Sequence, residues 1–296
     1  MPDTVFGART QQDARSLQRR RLFNLGFNAA VFACVAVAAV PLVAIVSYVL
    51  KKGAGIIDIE FLTEPIPILT RSVGPGMGPA IVGTLLITGV ATLMAVPLGI
   101  LAAVYLNEYG KKNRVASLIR TMSDVMTGVP SIVMGLFIYT IWVLQFGLSG
   151  FAGALALACL MLPVVIRSTE EILRLVPDGL REASLALGAS RARTILTVVL
   201  PAAIPGITSG ALLAVARAAG ETAPLLFTIG AARSFNTDVL DGANTALSTQ
   251  IFRNATQPFP GAVDRAWGAA LTLIVLVVLL TILARTVTKR FSIPLR

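Results

Sequence analysis

Three kinds of residue are scarce in this chain, and each scarcity excludes a class of function. Histidine is absent, which removes the usual general base and the commonest metal ligand. Only two cysteines occur, both inside apolar runs, which argues against a disulfide framework or a metal site. Charged residues make up 14% of the chain, against about 25% in soluble domains. Because so little charge cannot cover a soluble surface, we predict an integral membrane protein. We expect no cofactor.

The chain also lacks the glycine-rich nucleotide-binding pattern G-x-x-x-x-G-K-[ST]. Any energy drawn from ATP must therefore come from another subunit, and we do not expect this chain to be an enzyme. Its net charge of +10 would suggest nucleic acid if the charge were clustered on a soluble face. Since the basic residues lie between apolar runs, we expect them to meet the lipid bilayer surface and no nucleic acid.

Apolar runs of the roughly 20 residues that a helix needs to cross a bilayer recur along the sequence. The uncharged stretch 125–166 is long enough for two of them, with a break at 145–150. We predict six transmembrane helices, at 27–50, 79–106, two within 125–166, 202–232 and 266–286. The polar N-terminal segment leads directly into the first run, so we expect a retained anchor without a cleaved signal peptide.

Basic residues divide unevenly between the two sides of these spans. If the N-terminus is inside, the inner segments hold 18 Lys and Arg residues and the outer segments hold six. The positive-inside rule then places both termini in the cytoplasm. We therefore predict cytoplasmic segments at 1–26 and 291–296. The fold class is all-α, with six transmembrane helices.

The longest inner loop, 167–200, has apolar residues at helical spacing. They are Leu180, Ala183, Leu187, Ile195 and Val198. Gly188 interrupts them and can end one short helix at positive φ, while Ser190 can cap the next. We predict two short helices joined by a sharp turn at the membrane surface. An amphipathic interfacial helix without a partner is the alternative.

One pattern in this loop resembles a known family. Glu182, Ala183 and Ser184, then Gly188, then Val198-x-Leu200-Pro201 are similar to the E-A-A-x-x-x-G-x(9)-I-x-L-P loop of bacterial ABC importer permeases. Ser184 and Val198 depart mildly from it. The resemblance implies the ABC importer permease fold and a coupling helix over 178–201. Glu182, Ala183, Gly188 and Pro201 would contribute to docking on a separate ATPase.

Two further stretches, GVPSIVMGLF at 128–137 and ARAAGETAPLLF at 216–227, resemble the PstA-type permeases of phosphate importers. The resemblance covers about residues 75–290 and implies that they form the permease core domain. It implies a bacterial cell membrane location and import of phosphate. The implied partners are a homologous PstC-type permease, two PstB-type ATPase subunits and a PstS-type phosphate-binding protein.

The second of these stretches places two charges inside an apolar run. Arg217 and Glu221 are four residues apart, so we expect them to share one face of the fifth helix. They should face protein or water, because a charge in the bilayer is costly. They could form a structural ion pair, a gating pair with the partner permease, or a site in which Arg217 contacts a passing oxyanion. Thr222 adds a hydroxyl beside Glu221.

Three hydroxyl residues on other spans are candidates for the same pathway. Ser131 could line it, although bonding to a helix carbonyl is an equal alternative. Thr84 and Thr88 carry the same ambiguity.

Two other functions stay open. A permease for another oxyanion or small solute would keep the coupling loop without needing Arg217 and Glu221. A secondary transporter or channel would work without an ATPase and would give no reason for the 181–201 pattern. A purely structural membrane anchor leaves the charge pair unexplained.

Overall fold

The computed structural model describes residues 3–69, 76–110 and 113–291, and the regular elements among them are helices. The longer helices are α1 (Asp3–Gly53), α3 (Gly78–Val104), α4 (Arg114–Gly128), α7 (Gly150–Leu175), α10 (Leu200–Gly220) and α13 (Pro260–Phe291). The shorter ones are α2 (Ile59–Thr63), α5 (Ser131–Ile138), α6 (Leu144–Phe146), α8 (Asp178–Ala186), α9 (Arg191–Thr194), α11 (Ala223–Thr228) and α12 (Leu247–Ala255). The chain divides into two units, residues 1–51 and 52–296.

The first unit is almost entirely α1. The predicted span 27–50 lies within it, but the helix begins at Asp3 and runs through the predicted boundary at residue 26. The polar segment before that boundary is rich in Arg, Gln, Ala and Leu, which are strong helix formers. A single helix of 51 residues is about 77 Å long, far more than the roughly 30 Å bilayer core needs.

The second unit is built around α3, α7 and α10. Its central core contains Ile87, Ala91, Leu157 and Val165. Small residues let these helices approach closely, as is usual for helices packed in a membrane. A Cβ placed on Gly99 of α3 would lie 2.7 Å from Val165 of α7.

The third predicted span is bent. Helices α4 and the Ser131–Phe146 segment meet at an angle of 105°. Pro130 has no N–H and disfavours helical backbone at the residue before it. Val129 accordingly has extended backbone, with φ −70° and ψ 128°.

The fifth predicted span, 202–232, is also not one helix. A continuous helix of 30 residues runs from Arg191 to Gly220. This helix contains Pro201. A π-helical turn at Ile195–Val199 precedes the proline and accommodates both its missing N–H donor and its ring. After Gly220 the backbone becomes extended at Glu221, and the short helix α11 follows.

Among the described residues, five helices are long and apolar enough to cross a membrane, and the bent pair makes six if it counts as one span. The protein is therefore a multi-pass, all-α membrane protein. Opposite ends of α3 contact different elements. Thr84 near its start bonds to the first residue of α12, while Glu108 just beyond its end bonds to Arg181 of α8.

Candidate functional site

A cavity of about 220 Å³ lies where the bent third span meets α7 and the end of α10. Its walls combine apolar side chains with a few polar groups. The lining residues are Met126, Thr127, Val129, Pro130, Ser131, Leu160, Met161, Val164, Ala214, Arg217, Ala218 and Glu221. Three of the four residues predicted for the pathway, Ser131, Arg217 and Glu221, are thus together in one cavity.

The charge pair in this cavity is loose. Nε of Arg217 lies 3.7 Å from Oε1 of Glu221, beyond the usual 2.7–3.2 Å for an N–H···O hydrogen bond. The Arg217 side chain is 71% exposed and that of Glu221 is 19% exposed. Most of the guanidinium is therefore left uncovered by its own chain.

Glu221 does not share a helical face with Arg217, so that expectation is wrong. It lies one residue beyond the end of α10, with φ −68° and ψ 131°. The Oγ of buried Ser248 donates a 2.8 Å hydrogen bond to the carbonyl oxygen of Glu221. This hydrogen bond from α12 fixes the helix break. The break directs the Glu221 carboxylate back toward Arg217.

The bend at Pro130 explains the position of Ser131. This serine is the first residue of α5, so no preceding helical turn offers a carbonyl that could accept a hydrogen bond from its hydroxyl. Helix α5 is held by a close approach to α11, because a Cβ placed on Gly135 would lie 2.5 Å from Cα of Pro224. Only glycine fits there, and the contact sets the distance between Ser131 and the helix break.

The other hydroxyl candidates lie outside the cavity wall. Thr222 is half-buried at the start of α11. Thr84 is buried, donates to the Ala80 carbonyl at 2.7 Å and accepts the Leu247 N–H at 2.8 Å. Thr88 is 5% exposed. Thr84 therefore caps α12.

A second functional element is the turn between α8 and α9. Gly188 has φ +85°, and the hydroxyl of Ser190 accepts the Arg193 N–H at 3.3 Å, as the sequence predicts. Glu182 and Ala183 are exposed, and Leu187 is 90% exposed. The second helix differs from expectation, because α9 is the beginning of the 30-residue helix that ends at Gly220.

Sequence reasoning missed the residues that attach α8 to the membrane helices. The partly buried Arg181 guanidinium binds Glu108 at 3.0 Å, and it donates to the carbonyls of Leu173 and Val176 at 2.9 and 2.7 Å. The available signal was an arginine directly before Glu182, combined with a glutamate closing a long apolar run. This anchor holds α8 against the ends of α3 and α7.

The geometry agrees with comparisons to known proteins. The family described as binding-protein-dependent transport system inner membrane component matches residues 95–293. The phosphate transport system permease protein PstA 1 of Mycobacterium tuberculosis (strain H37Rv) is 43% identical over 94% of this chain and 92% of its own length. The PstA protein of Mycobacterium leprae is 46% identical over 88% of this chain and 86% of its own.

A solved structure supports the fold independently. The inward-facing MetNI methionine ABC transporter matches with a TM-score of 0.57 and 18% identity, over 71% of this chain and 92% of that chain. At this identity the match concerns the fold alone. Together with the sequence matches, it shows that the chain belongs to the binding-protein-dependent transport system inner membrane components, and among them to the PstA-type permeases.

Proposed function

We propose that this chain is the transmembrane permease subunit of an ATP-driven phosphate importer and forms half of its translocation pathway. The observation that carries the proposal is the cavity that brings Arg217, Glu221 and Ser131 together. A planar guanidinium offers two parallel donors to two oxygens of an oxyanion and stays charged in any environment.

The exposure of Arg217 supports a pathway shared with a second chain. A charge that faced lipid would cost a few kcal/mol, so the uncovered guanidinium should face water or protein. A homologous PstC-type permease, placed against this side, would enclose the pathway. Glu221 at 3.7 Å competes weakly for the guanidinium, which favours an anion that binds and is then released.

The continuity of one helix supports coupling to ATP hydrolysis. The helix Arg191–Gly220 has 30 residues and is therefore about 45 Å long. It begins at the α8 turn and ends at the charge pair, so a rigid displacement of α8 moves Arg217 relative to the cavity. Two PstB-type ATPase subunits would supply that displacement, one of them docking on Glu182, Ala183 and Leu187.

The bias of basic residues supports the orientation. It favours an orientation with α8 and both termini in the cytoplasm and the loops on either side of α12 outside. The proposed membrane is that of a bacterial cell. A PstS-type phosphate-binding protein would deliver its ligand to that outer side.

The test uses the reconstituted complex of both permeases, the ATPase and the binding protein. Arg217→Gln should lower phosphate uptake strongly while the complex still assembles. Arg217→Lys keeps the charge but loses the two parallel N–H donors of the guanidinium, so this variant should transport phosphate poorly. Arg114→Gln is the matched control, since Arg114 is exposed and lies outside the cavity wall.

Three results would contradict the proposal. Normal uptake by an assembled Arg217→Gln complex would remove Arg217 from the pathway. Uptake of sulfate or molybdate in preference to phosphate would indicate another oxyanion importer. Uptake that continues without ATP would indicate a secondary transporter.

A further inference from the structure

Three arginines converge on a second cavity, at the end of the molecule opposite to α8. This cavity has a volume of about 290 Å³. It is lined by Ile66, Pro67, Ala231, Arg233, Gln250, Arg253, Asn254, Gln257 and Arg265. No aspartate or glutamate occurs among these described wall residues.

This composition differs from that of the arginine cluster near α8. There, Arg120 and Arg174 both bind the buried carboxylate of Glu170, at 2.8 and 2.6 Å. Arg181 binds Glu108. Those charges are compensated by carboxylates within the chain, whereas the described wall residues of the outer cavity include three arginines and no carboxylate.

The arginines of the outer cavity are fixed in place by backbone carbonyls. Nη2 of Arg253 donates to the Gly230 carbonyl at 2.9 Å, and Nη1 of Arg233 donates to the Ile68 carbonyl. A guanidinium has five N–H donors, so one such bond leaves others for a ligand. Arg265 is only 4% exposed, and it contributes charge from the deep side of the wall.

The remaining wall is rigid and polar. Nδ2 of Asn254 donates to Oε1 of Gln250 at 3.1 Å, and Nε2 of Gln250 donates to Thr245 at 2.9 Å. Asn254 and Gln250 are each 5% exposed. Burial also lowers the pKa of the Arg253 guanidinium, because desolvation disfavours the charged form. A bound anion would relieve that penalty.

We propose that this cavity is an entry site that binds a tetrahedral oxyanion, inorganic phosphate, before it reaches the Arg217 cavity. The inference rests on the proposed import function, which places the cavity on the outer side. Its size suits a small ion, Arg233 and Arg253 supply charge-assisted donors, and no carboxylate occurs among the described wall residues. Helix α12 contributes Arg253 to this site and Ser248 to the helix break at Glu221, so the two cavities are neighbours along one helix.

The test measures protection of a single thiol in the assembled complex, with Cys34 and Cys159 replaced. Ala231→Cys puts the thiol on an exposed part of the wall, and a small uncharged maleimide labels it. Inorganic phosphate should slow labelling, and chloride at equal ionic strength should not. Arg233→Gln should raise the phosphate concentration for half-protection about tenfold, the effect of losing one charge-assisted hydrogen bond. Arg253→Gln should act in the same way.

Two controls separate this site from the others. Lys52→Gln removes one exposed charge outside the wall and should leave protection unchanged. Arg217→Gln should also leave it unchanged, so failure of the proposed transport role and failure of this site are distinguishable. The inference is overturned if phosphate gives no protection. It is also overturned if the binding protein protects the thiol while free phosphate does not, because the cavity would then receive a protein surface.

Discussion

The turn at Gly188 gives the sharpest test of coupling, because its conformation is decided by backbone alone. Gly188 has φ +85°, and a Cβ added there would meet no atom within 4 Å. Gly188→Val therefore creates no collision with a neighbouring residue. It forces a β-branched residue into the left-handed region, which costs an L-residue about 1–2 kcal/mol.

That penalty changes the population of the turn by a predictable factor. Each 1.4 kcal/mol changes an equilibrium constant tenfold. The population of the observed α8–α9 turn, relative to other turn conformations, should therefore fall about 5- to 30-fold. Leu187, which is 90% exposed directly before the glycine, would then be presented to the ATPase at the wrong angle. Gly188→Asn is the matched control, since asparagine tolerates positive φ through local hydrogen bonding.

The assay is copurification of the ATPase with the permease pair, followed by ATP hydrolysis stimulated by phosphate-loaded binding protein. Gly188→Val should lose ATPase subunit or stimulated hydrolysis, and Gly188→Asn should retain most of both. If the valine variant assembles, hydrolyses ATP and imports phosphate as the unmodified complex does, the turn is not the coupling element. Equal damage by valine and asparagine would show that the cause is not the backbone conformation.

Three further substitutions test the scaffold. Gly135→Ala should lower phosphate uptake severalfold by forcing α5 away from Pro224. Gly128→Ala is the control, because nothing lies within 4 Å of its added Cβ, and it should leave uptake unchanged. Equal uptake by the two variants would contradict the role of the α5–α11 contact. Glu108→Gln should destabilise the anchor of α8 by about 1–3 kcal/mol, because Arg181 loses the less exposed of its two carboxylate partners and keeps only Asp178. Thermal melting of the purified complex should detect this as a lower Tm. Thr84→Val should expose the α12 N-terminus to faster amide hydrogen exchange at Leu247, and an unchanged exchange rate there would show that the cap is dispensable.

Local signals in the sequence are sufficient for the α8 turn and for the charge pair. Gly188 and Ser190 act through their own backbone and hydroxyl, so their positions alone predict the turn. Arg217 and Glu221 stand out because apolar sequence surrounds them. In both places the physics involves residues only a few positions apart, which is why the pattern is readable.

The two breaks depend on tertiary contacts that no local pattern contains. Pro97 and Pro163 lie inside continuous helices, whereas Pro130 separates two helices. What differs is the packing of α5 against α11 through Gly135, which holds the bend open. The break at Glu221 is likewise fixed by Ser248, which is 27 residues away. The Arg181–Glu108 anchor joins residues 73 positions apart.

The exposure of the Arg217 side chain, 71%, also bears on the fate of the chain before assembly. A copy inserted without a second permease would present this guanidinium to acyl chains, at about 2.5–3.5 kcal/mol on insertion scales. That is a large part of the roughly 5–15 kcal/mol by which a folded protein is stable. Membrane proteases would therefore encounter an orphan subunit unfolded far more often than an assembled one. The residue proposed to meet the substrate would thus also shorten the half-life of an unpartnered chain.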